Sequence, residues 1–111
     1  MNPLVACDSL EEVRAQIDAL DQKIVALLRD RGILVSQAAR FKRTTDEVRA
    51  PSRIDQVVCK VRAEATRCGA DPGIVEATYR AMINAFIQME MGEYTASGNA
   101  RNSAGVSNEQ I

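Results

Sequence analysis

Apolar residues recur at helical spacing along the N-terminal third of the chain. From Leu10 onward, positions three or four residues apart form one continuous stripe along a helix face, mostly apolar but with some charged residues. It consists of Leu10, Arg14, Ile17, Asp21, Ile24, Leu28, Arg31, Val35, Ala38 and Lys42. Ser9 and Glu12 form a capping box at its start, so the pattern predicts one uninterrupted helix over residues 10–42. A helix of that length is roughly 50 Å long, more than a compact monomer of this size is across, so another surface must cover it.

A second, shorter helix is predicted to follow a loop. Residues 43–50 are polar and aperiodic, and Pro51 suits the first turn of a helix because its missing N–H would be unpaired there anyway. Apolar residues at helical spacing follow, namely Ile54, Val57, Val58, Val61 and Ala65. This helix is predicted to end at Cys68-Gly69, since glycine readily adopts the left-handed conformation of a C-cap.

A third helix is predicted to begin at Asp71-Pro72 and to fade near Tyr94. Its apolar face is formed by Val75, Tyr79, Met82, Ile83 and Phe86, and the same face ends in Glu90. The remaining residues are rich in Ser, Asn, Gly and Ala and have little to bury, which indicates disorder. The predicted organisation is an N-terminal extension over residues 1–8, a helical domain over 9–94 and a disordered tail over 95–111.

Composition agrees with an all-α fold and excludes several functions. Aliphatic residues and alanine abound, whereas only two Tyr, two Phe and no Trp are present. The net charge of −1 gives no general attraction to nucleic acid or to an anionic membrane. The three cysteines lack metal-ligand spacing, and no His is available to complete a zinc site, so a reduced, cytoplasmic protein is expected.

Three cations interrupt the apolar stripe of the long helix, and they are the first candidates for a binding site. Arg14 and Arg31 are 17 positions apart, or about 25 Å along one helix, so they cannot grip one small molecule within a single chain. Antiparallel pairing of two long helices in a symmetric dimer would bring Arg14 of one subunit near Arg31 of the other. Lys42 ends the same stripe. The alternative is structural: long basic side chains also extend from the edge of an apolar stripe into water.

Glu90 is the corresponding anomaly on the third helix, because a carboxylate stands where an apolar residue is expected. Taken alone, this position is better explained by a buried salt bridge than by a role in chemistry. Arg53, in the first turn of the second helix, is a weaker candidate. A cation is unfavourable at a helix N-terminus, which suggests a ligand or partner for it.

The chain resembles the all-α chorismate mutases, together with the isochorismate pyruvate lyases that share their fold. The resemblance covers residues 8–94. It rests on Leu10-x-x-x-Arg14-x-x-Ile17-Asp18-x-Leu20-Asp21-x-x-Ile24-x-x-Leu27-Leu28-x-x-Arg31, then Phe41-Lys42, Pro51-x-Arg53 and Glu90. It implies three helices per chain, one of them very long, in an intertwined homodimer with shared active sites.

The resemblance also implies a reaction, the Claisen rearrangement of chorismate to prephenate, which needs no metal and no cofactor. The site must hold a flexible dicarboxylate in a compact geometry and stabilise charge on the ether oxygen. By this resemblance, Arg31 and the partner subunit's Arg14 bind carboxylates, Arg53 helps to bind the substrate, and Lys42 faces the ether oxygen. Glu90 supplies a second hydrogen bond to that oxygen, for which it must be protonated, because a carboxylate cannot donate.

Some positions are similar to the lyase branch instead, so a second reaction stays open. Ala50 stands where mutases often have Asp, and Ile54 where they often have Glu, while Ala38 also matches the lyases. Glu90 favours the mutase, because the lyases carry Gln there, as many bacterial mutases do. A lyase would remove pyruvate from isochorismate to give salicylate. A third possibility is a helical dimerisation module without catalytic activity.

Overall fold

The computed structural model describes residues 6–102, and side chains for residues 6–95. It contains four helices, α1 (Leu10–Ala39), α2 (Thr45–Arg49), α3 (Pro51–Cys68) and α4 (Pro72–Asn102). Within these residues no strand is present. The predicted all-α fold with three principal helices is confirmed. The chain divides into two compact units, one ending at Leu34 and the other beginning at Val35.

The N-terminus of α1 is capped as its sequence predicts. The backbone N–H of Glu12 donates to Ser9 Oγ at 3.1 Å. The Glu12 carboxylate in turn accepts from the N–H of Asp8 at 3.0 Å, one residue before the expected donor. At the other end α1 stops at Ala39, three residues short of the predicted end at Lys42. Three successive N–H groups, ending with that of Lys42, bond there to the carbonyl three residues before them, so tighter turns replace the α-helix.

The large apolar side chains described in the first unit are exposed to solvent. No residue of α1 is buried. Ten large apolar side chains between residues 10 and 34 are exposed, namely Leu10, Val13, Ile17, Leu20, Ile24, Val25, Leu27, Leu28, Ile33 and Leu34. Leu28 in the middle of the predicted stripe is 37% exposed and Ile24 is 52% exposed. An apolar surface of this extent is typical of a binding interface.

The short helix α2 corrects the prediction of a loop over residues 43–50. Thr44 Oγ1 accepts from the N–H of Glu47 at 3.1 Å, and the Glu47 carboxylate accepts from the N–H of Arg43. These two bonds form a second capping box, which stabilises one turn of helix despite the polar composition. Val48 on this turn is only 2% exposed, so α2 also contributes to the core.

One residue joins α2 to α3. Ala50 ends α2 with its N–H bonded to the Asp46 carbonyl at 2.7 Å, and its own carbonyl accepts from the N–H of Ile54 in α3 at 3.1 Å. Its backbone is left-handed, with φ 37° and ψ 63°. For a residue with a Cβ atom this conformation costs about 1 kcal/mol. Pro51 then opens α3, as predicted.

The connection between α3 and α4 also follows the prediction. Gly69, at φ 84°, ends α3, and the N–H of Ala70 bonds to the Ala65 carbonyl at 2.8 Å. Asp71 Oδ1 accepts from the N–H of Ile74 at 3.1 Å and caps α4.

Helix α4 continues to Asn102, past the end predicted near Tyr94. Residues 95–102 therefore differ from the disordered tail that was expected. The lack of large apolar residues in this segment argues only against its burial. A helix that has already formed can extend through local hydrogen bonds without being buried. No proline interrupts this segment. The rest of the predicted tail, residues 103–111, lies outside the described residues.

The core of the second unit lies where α3 and α2 pack against α4. Its buried residues are Val48, Val58, Ala65, Ile83 and Glu90. At the surface Glu76 of α4 bonds to Arg62 of α3 at 2.6 Å and to Arg80 of its own helix at 2.7 Å. Hydrogen bonds from Arg80 and Arg62 hold the pKa of Glu76 below its usual value. This exposed network adds little to stability but links the two helices.

Candidate active site

Lys42 and Glu90 meet in the second unit, as an ion pair between α4 and the turn that follows α1. Lys42 Nζ lies 2.6 Å from Glu90 Oε2, and the two side chains are 25% and 4% exposed. Glu90 is the one buried charged residue among those described. Removing a carboxylate from water costs several kcal/mol unless a cation compensates for it, and Lys42 is that cation.

The hydrogen-bonding capacity of Glu90 is not used up by this contact. Lys42 does not meet Oε2 in hydrogen-bonding geometry, and no other described group donates to this buried oxygen. Most buried polar atoms in folded proteins have such a partner, and one that lacks it calls for an explanation. An acid beside an ammonium, with spare hydrogen-bonding capacity, suits a site that binds a polar atom of a ligand.

The end of α4 also contacts the segment around Lys42 at two other points. The Tyr94 hydroxyl donates to the carbonyl of Arg43 at 2.5 Å, and the Ser36 hydroxyl donates to the Glu93 carboxylate at 3.1 Å. Together with the Lys42–Glu90 pair, these bonds tie residues 36–43 to α4.

The structure thus brings together two of the five predicted site residues. Arg14 and Arg31 both lie on α1, the former exposed and the latter half-buried. Their 17-residue separation on one continuous helix keeps them about 25 Å apart, as predicted. Arg53 is exposed in the first turn of α3.

Two residues that support the site were missed in the sequence. Glu47 could have been found, because Thr44-Thr45-Asp46-Glu47 carries the capping-box pattern. Tyr94 gave no such signal, because its partner Arg43 is 51 positions away. Contacts at that distance depend on the tertiary fold rather than on local pattern.

The described residues contain neither a candidate metal-binding cluster nor a candidate membrane-spanning helix. No group of three or more His, Cys, Asp or Glu is arranged to hold a metal ion. None of the helices combines the length and the apolar character needed to cross a membrane.

The described residues form an all-helical domain. In it Lys42, which ends the stripe that begins at Leu10, contacts the buried Glu90 of α4. The family model for chorismate mutase type II matches residues 13–91, and the chain belongs to this family. That match includes all five predicted site residues. The chain is also similar to a 4-amino-4-deoxychorismate mutase from Streptomyces pristinaespiralis, with 30% identity over 99 residues, which are 88% of this chain and 76% of the relative. The family resemblance predicted from the sequence is confirmed.

Proposed function

We propose that this protein is a chorismate mutase that converts chorismate to prephenate by a Claisen rearrangement. The observation that carries the proposal is the buried Lys42–Glu90 pair, within a chain of the type II family. In this reaction one carbon–oxygen bond breaks while one carbon–carbon bond forms, and negative charge develops on the ether oxygen. The site has to fold the substrate and stabilise that charge.

Lys42 and Glu90 are the proposed catalytic residues. With substrate bound, the ammonium of Lys42 donates to the ether oxygen instead of pairing with Glu90, and Glu90 in its protonated form donates a second hydrogen bond to the same atom. Their 2.6 Å separation supports this assignment, because two groups in contact can both approach one oxygen atom. One buried oxygen of Glu90 makes no hydrogen bond to any described group, so it is available to contact the substrate.

We also propose that two chains form an intertwined dimer and complete each other's sites. The ten exposed apolar side chains of α1 support this assembly, since they offer a long surface for a second copy of the helix. In such a dimer Arg31 of one chain and Arg14 of the other bind the two carboxylates of the substrate, with Arg53 assisting. Arginine suits this task because its planar guanidinium pairs with a carboxylate through two parallel hydrogen bonds.

A second candidate substrate is 4-amino-4-deoxychorismate, favoured by the name of the relative from Streptomyces pristinaespiralis. It differs from chorismate in carrying an amine in place of the 4-hydroxyl group. The rearrangement and the roles of Lys42 and Glu90 are the same for both substrates, so only the surroundings of position 4 distinguish them.

The test is to supply purified protein separately with chorismate, 4-amino-4-deoxychorismate and isochorismate. We expect the highest kcat/KM with chorismate. A higher value with the amino compound would reassign the substrate, and formation of salicylate and pyruvate from isochorismate would indicate the lyase. If none of the three is converted, the proposed function is wrong and a helical dimerisation module is favoured instead.

Lys42→Ala provides the matching test of the site. We expect kcat/KM to fall by at least about 100-fold, because the main stabilisation of the ether oxygen is lost. Lys60→Ala removes an exposed lysine of α3 and serves as the control, with activity expected to be unchanged. Circular dichroism should show equal helicity in both variants. Retention of activity in a folded Lys42→Ala protein would contradict the assignment.

A further inference from the structure

The backbone next to Lys42 is held on both sides by side chains that the proposed reaction does not use. The N–H of Arg43 donates to the Glu47 carboxylate, and the carbonyl of Arg43 accepts from the Tyr94 hydroxyl at 2.5 Å. The N–H of Lys42 itself bonds to the Ala39 carbonyl at 3.2 Å. The backbone around Lys42 is therefore fixed although it lies beyond the end of α1.

This anchoring matters because a lysine side chain is long and flexible. Its ammonium is aimed by a four-carbon stem with about 2 kcal/mol of rotamer entropy, so any freedom of the backbone adds to the spread of its positions. The turn that contains Lys42 lacks the i to i−4 bonds of an α-helix, which would otherwise fix it. Glu47 and Tyr94 supply the missing restraint.

Tyr94 has a further geometric role, because it lies four residues after Glu90 on α4. Residues four apart share one face of a helix. A single rigid element therefore carries both the acid that contacts Lys42 and the hydroxyl that holds the next residue of the Lys42 segment. The separation of Lys42 and Glu90 is set by α4 rather than by the two side chains alone.

We propose that Tyr94 and Glu47 are positioning residues for Lys42. They touch no reacting atom, and act by holding the backbone from which the ammonium reaches the ether oxygen. The inference rests on the proposed function, since its largest effect is on turnover of chorismate. Tyr94 anchors the carbonyl side of the segment and Glu47 the amide side.

The first experiment compares Tyr94→Phe with Thr78→Val. Both variants remove one hydroxyl of α4 that donates to a carbonyl, but the Thr78 bond stays within α4 and has no link to Lys42. We expect Tyr94→Phe to lower kcat about tenfold with KM changed less than about twofold, since the ammonium acts in the transition state. Amide hydrogen exchange should accelerate at Lys42 and Arg43 but not in α3. Thr78→Val should change neither kcat nor exchange.

The second experiment uses Glu47, for which a conservative replacement exists. Gln keeps a side-chain oxygen that accepts the N–H of Arg43, and it is the common alternative to Glu in a capping box. Glu47→Gln should therefore keep nearly full kcat, whereas Glu47→Ala should lose several-fold and show faster exchange at Arg43. A residue that acted through its negative charge would give equal losses in both variants.

Failure of this inference differs from failure of the proposed function. If the wild-type protein converts chorismate and Tyr94→Phe keeps full kcat, the positioning role is wrong. Equal loss in Glu47→Gln and Glu47→Ala, or faster exchange throughout the protein in Tyr94→Phe, also overturns it. If the wild type has no mutase activity, the proposed function fails. Exchange at Lys42 and Arg43 then decides whether these residues hold the segment.

Discussion

The two units of this chain differ in the solvent exposure of their large apolar side chains. Up to Leu34 ten large apolar side chains are exposed and none is buried. From Val35 onward only Phe41, Ile74 and Met89 are exposed among the large apolar residues described, and a core forms. Apolar residues recur at helical spacing in both units. This periodicity therefore indicates a surface that packs against a partner, but it does not indicate whether the partner belongs to the same chain.

The two units differ equally in their charged residues. In the second unit a carboxylate is buried and its cation is in contact with it. On α1, Arg14 is exposed and Arg31 is half-buried. The apolar residues of the same stripe from Leu10 to Leu28 are exposed. The second unit therefore already holds the proposed catalytic pair, whereas the two arginines of α1 have their proposed role only in the proposed dimer.

The largest effect is expected from a charge placed in the exposed stripe of α1. Ile24→Asp should abolish dimer formation and, with it, most activity, because the interface would bury an unpaired carboxylate at a cost of several kcal/mol. Sedimentation equilibrium measures the assembly and circular dichroism the helicity. Gln22→Asp makes the same charge change about 160° away around the helix and should assemble normally. A dimer that tolerates Ile24→Asp would mean that this stripe is not the interface.

A smaller but more specific effect is expected when Glu90 of the second unit is changed. A carboxylate cannot donate a hydrogen bond, so wild-type kcat should be lower at about pH 8 than at about pH 5. Glu90→Gln donates at every pH and should flatten the profile. The rate of chorismate conversion across this range is the measurement. A flat wild-type profile would show that Glu90 is not the donor.

The smallest effect concerns the surface link between α3 and α4. The pKa of Glu76 is lowered in the folded protein by Arg80 and Arg62, so its contribution to stability is fully present above the pKa of a free glutamate. It is lost as the pH falls through the lower pKa of the folded state. Glu76→Gln should lower the thermal midpoint by no more than a few degrees at pH 7 and by less in acid. Added salt should shrink the difference at pH 7, and a difference that grows in acid would contradict the assigned sign.

Local signals account for most of what the sequence predicted correctly about the helices. Ser9, Pro51, Gly69 and Asp71 mark caps or first turns at the places where the structure has them. These interactions span a few residues, so they can be read from pattern alone. The short helix α2 could have been predicted in the same way from the box that begins at Thr44.

The site was only partly predictable for a physical reason. Lys42 and Glu90 are predictable as candidates because each is a charged residue within an apolar stripe, and the structure places them in contact. Their anchoring by Tyr94 depends on a contact across 51 positions, and no periodicity encodes that. The extent of α4 was underestimated because burial was used to judge a segment whose helix needs only its own backbone bonds.

Ala50 has a consequence for where this chain can change in length. It is at once the last cap of α2 and the first cap of α3, so the two helices share one residue and the connection has no slack. An inserted or deleted residue there would break the bond to Asp46 or the one from Ile54, and would shift Arg53 relative to Lys42. Insertions in this chain should therefore be tolerated at the termini or between α3 and α4 better than between Lys42 and Arg53.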